Sequence, residues 1–253
     1  MDQESRGIAR KERAMTALLF LEDSYRKDAS ATVTGISEDD GIILNQSLFY
    51  ATSGGQPGDR GKLLWADNQI EIETTVKGEG GMLICKPVQN EPLPEVGQVV
   101  TQIIDWNLRY NHMRMHTALH LLSVAIPLPV TGGAITEVKG RLDFDMPEAP
   151  GEKDKLSERL NDLILRSLDV TETWITQAEL EQNPALVKTL SVQPPKCAEK
   201  IRLVRIGHGE EQIDLQPCGG THVKNTVEIG KVRISKIEKK GRQNRRVHLV
   251  FEA

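Results

Sequence analysis

Cysteine is scarce in this chain: there are three in 253 residues, at positions 85, 197 and 218, and no Cys-x-x-Cys pair. That excludes a disulfide framework. No apolar run approaches the roughly 20 residues needed to cross a bilayer. The charged stretch from Met1 to Ala14 lacks the apolar core of a secretory signal, so a cytoplasmic protein without a membrane partner is expected. Aromatic residues make up only 4 % of the chain, which argues against an extended surface for stacking unpaired bases. No G-x-G-x-x-G occurs. The glycine-rich run Thr52 to Gly61 is not a phosphate loop either, because Leu63 follows Lys62 where a Ser or Thr would be required. No ATP site is expected, and in isolation this run reads as a surface turn.

What is present is the composition of a globular chain, with 38 % hydrophobic and 27 % charged residues. The net charge of −4 hides an asymmetry. From Glu137 to Glu181 twelve acids face six bases, whereas from Lys224 to Arg246 nine bases face two acids. Such blocks are often only solvated faces. The alternative is a surface for a polyanion, since clustered Lys and Arg release its counterions on binding.

Met1 to Ala14 has neither helical nor strand periodicity and reads as a loose leader. Short apolar runs at Ala29–Ile36, Gly41–Asn45, Lys62–Trp65, Gln69–Val76, Gly81–Lys86 and Val99–Ile104 are punctuated by Gly, Asp and Asn. This spacing predicts a small β-barrel over residues 15–105, with Cys85 buried in a strand. The pattern then turns helical from Trp106 to Val124, ending before Pro127 and Pro129. Strands are expected at Thr131–Thr136, Arg141–Asp145, Thr171–Thr176, Ile201–Ile206, Val232–Ile237 and Arg246–Phe251. Helices are expected at Lys153–Leu168 and, interrupted at Pro184, at Ala178–Leu190. The fold class is therefore α+β: a barrel followed by an α+β domain with an antiparallel sheet over residues 106–253.

Two short signatures stand far apart in this second part. His112, His116 and His120 recur every four residues on the predicted helix, and Cys218-Gly219-Gly220-Thr221-His222 holds a thiol and an imidazole at short spacing. Residues four apart share a helix face, and nitrogen with sulfur is the donor set zinc prefers. All three helix histidines cannot bind one ion, because eight residues of helix span about 12 Å. Either adjacent pair fits. Cys197, after two prolines, has no partner at ligand spacing. A chain this long folds without a metal staple, and glycines in the turn permit close approach, so an ion here points to chemistry on a water.

These motifs resemble the editing domain of alanyl-tRNA synthetase and its free-standing relatives, the AlaX-type proteins of medium length. The resemblance is carried by Arg114 to Leu122, Cys218 to His222, Leu19-Phe20 to Tyr25, the Gly54-Gly55-Gln56 loop, Asp105-Trp106, and Ile229-Gly230 to Arg245-Arg246. It runs from about Met15 to the C-terminus; the first 14 residues have no counterpart and suggest an alternative start. No aminoacylation domain is seen, so a synthetase is not expected.

The resemblance implies a trans-editing hydrolase that deacylates alanine tRNA mischarged with serine and, secondarily, glycine, because a pocket sized for alanine discriminates weakly against both. It implies one zinc per chain on His116, His120, Cys218 and His222, which chooses the 116/120 pair, with His112 as a helper beside the substrate. Thr131 corresponds to a polar residue near the substrate side chain, and Gly54, Gly55 and Gln56 to a motif linking barrel and editing site. Lys236, Lys239, Lys240, Arg242, Arg245 and Arg246 are the expected RNA backbone contacts, suited to a duplex read by shape and phosphates. The competing reading is a tRNA-binding module whose zinc is purely structural. A metallohydrolase for other acyl esters is a third. The oligomeric state is left open.

Overall fold

The computed structural model describes residues 15–89, 91–148, 151–187 and 200–252. The leader, Cys197 and the far end of the helix expected to reach Leu190 lie outside the described residues. Elements follow in the order β1 (Ala17–Leu18), α1 (Leu19–Glu22), β2 (Asp28–Ile36), β3 (Ile42–Leu44), β4 (Gln46–Ser47), β5 (Gly61–Trp65), β6 (Asn68–Lys77), β7 (Leu83–Pro87) and β8 (Val99–Ile104). The second part comprises α2 (Trp106–Ala125), β9 (Val130–Ile135), β10 (Lys139–Asp145), α3 (Lys153–Leu165), β11 (Asp169–Ile175), α4 (Gln177–Gln182), β12 (Ile201–His208), β13 (Glu211–Pro217), β14 (Val232–Lys239) and β15 (Asn244–Phe251).

The first part closes into a six-stranded barrel in the order β2-β3-β7-β6-β5-β8, as the strand spacing predicts. Alternation sends Ala29, Ala31 and Val33 inward to meet Leu63, Ile70, Ile72 and Val100. Cys85 is buried among them, and burial pushes its thiol up to about 12. It is packing, not chemistry.

Helix α2 starts where Asp105 accepts a hydrogen bond from the Leu108 N–H at 3.1 Å, and it stops two residues before Pro127. It is buried along most of its length, because different sides meet different sheets. Met115 and Leu119 press on the four-stranded antiparallel sheet β14-β15-β10-β9, so closely that a Cβ on Gly140 would lie 2.9 Å from Met115. Leu156, Leu160 and Ile164 of α3 complete that core with Phe144, Val247 and Leu249. Another side of α2 faces β13 in the three-stranded antiparallel sheet β11-β12-β13. Among the described residues no helix is long and apolar enough to cross a membrane.

Strand β13 is the element that the hydrophobic pattern misses. Ile213 and Leu215 read as its inward side, yet the buried residues are Asp214 and Gln216. The alternation is inverted because the polar face meets a histidine of α2. Helix α3 also ends earlier than the apolar spacing predicts, at Leu165, where Ser167 takes a φ of 53° and turns the chain.

Candidate metal centre

Two elements deliver four donors to one point. His116 and His120 project from adjacent turns of α2. Cys218 and His222 come from the turn that follows β13. Their ligand atoms all lie within 4.8 Å of one another. Cys218 Sγ is 3.3 Å from His222 Nε2 and 3.6 Å from His116 Nε2. The three imidazole centroids are 4.4 to 5.4 Å apart.

The remaining ring nitrogens show how this group is built. Each Nδ1 is held by protein. His116 Nδ1 is 2.9 Å from Gln56 Oε1, His120 Nδ1 is 2.9 Å from Asp214 Oδ2, and His222 Nδ1 is 3.1 Å from Thr117 Oγ1. The carboxylate and the amide oxygen accept only. Thr117 gives its own proton to the Met113 carbonyl at 2.9 Å, so toward His222 it accepts as well. All three rings therefore point a protonated Nδ1 at an acceptor and turn Nε2 toward Cys218. This is how proteins orient metal-binding histidines. Three nitrogens and a thiolate fit a tetrahedral ion such as zinc.

Electrostatics agree with that use. Burial opposes ionisation of Cys218, but His116 and His222 hold its thiol well below the usual range. Burial and the nearby His116 push His222 down to about 3, keeping it neutral. Burial works against a proton on His120, yet Asp214 and Cys218 lift it to about 9. At neutral pH this ring therefore holds a second proton, on Nε2 toward Cys218, which a metal ion has to displace on binding.

The ligand turn is shaped from two sides. Gly220 leaves no room for a side chain, since a Cβ there would sit 2.2 Å from His116 Cε1. Arg202, from β12, donates from Nη1 to the carbonyls of Cys218 and Gly220, each at 2.8 Å, and its Nη2 is paired with Glu172.

The Gly54-Gly55-Gln56 loop reaches the same place from the barrel. Gln56 is buried and donates to Thr221 Oγ1 at 2.9 Å while accepting from the Thr221 N–H at 3.2 Å and from His116. Gly55 adopts φ 84°, and a Cβ on it would strike the Gly133 carbonyl of β9 at 2.3 Å. Gly54 is exposed beside it, with φ 57°. The run is a turn with both glycines exposed, as it reads in isolation, but the residue after them, Gln56, is buried against the ligand turn.

His112 is buried one turn from His116, burial lowers its basicity, and its Nδ1 has no hydrogen-bond partner among the described residues. Thr131 is half-buried on β9, with its hydroxyl 2.9 Å from Asn244 Oδ1 and 3.2 Å from the Asp143 carbonyl; no described hydrogen bond joins it to the four donors. The basic segment folds into the hairpin β14–β15. Its members differ in ways that the sequence does not show. Arg246 donates to both oxygens of Asp143, at 2.7 and 2.8 Å, and Arg245 donates to the Pro147 carbonyl. Lys236 is paired with Glu238, and Lys240 lies 3.8 Å from the same carboxylate. Lys239 and Arg242 are exposed and have no ion pair among the described residues. The six expected RNA contacts thus differ in how far their charge is already paired within the protein.

Sequence reasoning missed Asp214, Thr117 and Arg202, and also the buried pair of Arg109 and Asp59. Arg109, fully buried on α2, pairs with Asp59 and donates to the Ser24 and Leu48 carbonyls at 3.1 and 2.6 Å. The one available signal was Asp214-Leu215-Gln216, a polar–apolar–polar run just before Cys218.

Comparison with known proteins meets this geometry. Residues 201–248 match the family model of the threonyl and alanyl tRNA synthetase second additional domain, and residues 10–108 match that of tRNA synthetases class II (A). Both models describe parts of synthetases. Among whole proteins, the chain is 33 % identical to the alanyl-tRNA editing protein AlaX-M of Methanosarcina barkeri, over 94 % of this chain and 99 % of that one. It is 31 % identical to AlaX-L of Pyrococcus horikoshii, over 90 % of this chain and 56 % of that one. An alanine–tRNA ligase of Pyrobaculum arsenaticum is 33 % identical over 88 % of this chain but only 25 % of its own length. The chain belongs to the AlaX family of alanyl-tRNA editing proteins.

Proposed function

We propose that this protein is a trans-editing hydrolase that cleaves the ester between serine, or secondarily glycine, and the terminal ribose of alanine tRNA, using one zinc per chain on His116, His120, Cys218 and His222. The relatives named as alanyl-tRNA editing proteins support the substrate class. The observation that carries the catalytic reading is the convergence of three imidazole Nε2 atoms and the Cys218 sulfur, with each Nδ1 held from behind. Zinc, when bound, supplies a Lewis acid beside the scissile ester. Asp214 keeps the His120 proton on Nδ1, and Gln56 does the same for His116 from the barrel side.

Thr131 is our candidate for sensing the serine hydroxyl. Its own proton goes to Asn244 or Asp143, leaving an oxygen lone pair to accept. Gly54 and Gly55 let the backbone approach the substrate closely, and His112 is a helper, buried one turn before His116. In this reading residues 15–105 and 106–253 are two units joined at α2. The β14–β15 hairpin meets RNA phosphates through Lys239, Lys240 and Arg242, with Lys236, Arg245 and Arg246 supporting it.

A purely structural zinc is favoured by one feature: four protein donors close a tetrahedral shell. One experiment separates the readings. Serine-charged and alanine-charged alanine tRNA are incubated with the purified protein, with metal quantified in the same preparation. The expected result is rapid loss of serine, retained alanine, one zinc per chain, and lost hydrolysis with retained tRNA binding in Cys218→Ala. Hydrolysis undiminished in a metal-free Cys218→Ala protein sinks zinc catalysis. A zinc-loaded protein that binds tRNA and hydrolyses neither ester is the structural module.

A further inference from the structure

A second feature lies on the metal-facing side of the three-stranded sheet. In the antiparallel register Trp174 stands opposite Arg202, and Glu172 opposite Val204, while Val204 stands opposite Gln216. Cross-strand partners share a face. Trp174 is therefore on the side that carries Asp214 and Gln216 to His120, one strand out from the ligand turn. It is 47 % exposed, and among the described residues no ring or cation stacks on it.

Arg202, its cross-strand neighbour, and Glu172, two residues along the strand, wall a cavity of about 180 Å³ together with Asp23, Tyr25, His222 and Lys224; Trp174 itself stands outside the lining. Its wall includes His222, a member of the metal cluster. Arg202 is only 5 % exposed, and its Nε has no hydrogen-bond partner although both terminal nitrogens are used. A buried donor left unmatched requires an explanation, and an incoming acceptor supplies one. Across the cavity Lys224 is ion-paired with Asp23 at 3.6 Å.

From this geometry we infer that the Trp174 face and its cavity form a subsite for the 3′-terminal nucleotide of the tRNA. Trp174 stacks on the base, and Arg202 Nε donates to an acceptor on the same nucleoside. The inference rests on the editing function proposed above and names how that site holds the unpaired end of its RNA. A duplex is held by phosphates and shape, but an unpaired base needs an aromatic or guanidinium plane. A low aromatic content excludes an extended stacking surface. It does not bear on a single platform placed beside the ester.

The test is a binding cycle with uncharged alanine tRNA, either intact or lacking its 3′-terminal nucleotide, against the wild-type protein, Trp174→Ala and Trp174→Phe. Trp174→Ala is expected to weaken binding of intact tRNA about 10-fold or more, as loss of one stacked base does. It should leave binding of the truncated tRNA unchanged, and Trp174→Phe should restore most of the loss. Equal weakening of both RNAs, or no weakening of either, overturns the subsite. Because the cycle uses uncharged RNA, it is independent of hydrolysis. A wild-type protein that edits normally with Trp174→Ala unaffected sinks the subsite alone, whereas one that neither binds nor deacylates tRNA sinks both readings.

Discussion

Single atoms decide whether this centre works, because each donor is oriented through its far side. Asp214 holds His120 and is itself held by Gln216, whose Nε2 donates to Asp214 Oδ2 at 2.8 Å. Losing such a partner typically costs 10–100-fold in metal affinity. Asp214→Ala is accordingly expected to raise the zinc dissociation constant by about that factor, read by competition with a chromogenic chelator; unchanged affinity would remove Asp214 from the site's design. The two glycines of the ligand turn make a sharper pair. Gly220→Ala would drive a methyl into the His116 ring, whereas a Cβ on Gly219 meets nothing within 4 Å. Bound metal should fall well below one per chain in Gly220→Ala and stay at one in Gly219→Ala. Equal metal content in the two would show that the ring has room to move.

Among elements, the β14–β15 hairpin separates charge that is spent internally from charge that is free. Arg246 and Asp143 form a bidentate, mostly buried pair, while Arg242 and Lys239 stand exposed. Replacing Lys239 and Arg242 together with Gln should reduce the slope of log affinity for tRNA against log salt by about one per residue. Arg246→Gln should leave that slope nearly unchanged and cost roughly 1–2 kcal/mol of stability, as charged hydrogen bonds do. The pair also has a pH signature. Burial would raise the Asp143 pKa, but Arg246 and Arg141 hold it below the ordinary carboxylate value. A depressed folded-state pKa means that the contribution is full above about pH 4 and lost as pH falls through the lower value. Urea midpoints measured from pH 6 down to pH 3 should therefore drop less steeply for Arg246→Gln than for the wild type. Parallel curves would rule the pair out.

Across the molecule, the barrel is part of the centre because the loop between β4 and β5 is anchored twice to α2. Asp59 holds Arg109, and three turns of helix intervene before His120. Gln56, three residues before Asp59, holds His116. The anchoring carboxylate also accepts the Tyr50 N–H at 2.6 Å. Removing one partner of a buried ion pair strands the other charge, at a cost of about 3–5 kcal/mol. Asp59→Ala should lose that much in urea unfolding, and the surviving folded protein should bind zinc less tightly because Gln56 is no longer held. A loss below about 1 kcal/mol would mean that water replaces the carboxylate.

Most of the architecture was legible because alternation in the barrel strands reports burial on one side, and because the run from Trp106 to Val124 has no helix breaker before Pro127, although α2 is buried on several sides. The candidate donors were legible in part for a related reason. His-x-x-x-His and Cys-x-x-x-His bring donors together locally, but spacing left the 112/116 and 116/120 pairs equal; the resemblance chose between them, and the fold brings His116 and His120 to Cys218 and His222. Residue type could not show that β13 turns its polar face inward, that Arg246 is neutralised by Asp143, or that Gln56 serves His116 from sixty residues away. Those facts depend on which surfaces meet once the barrel, helix and sheets have packed. A carboxylate's partner is set by distance in space, and for Asp214 and His120 that distance was closed only by placing β13 against α2.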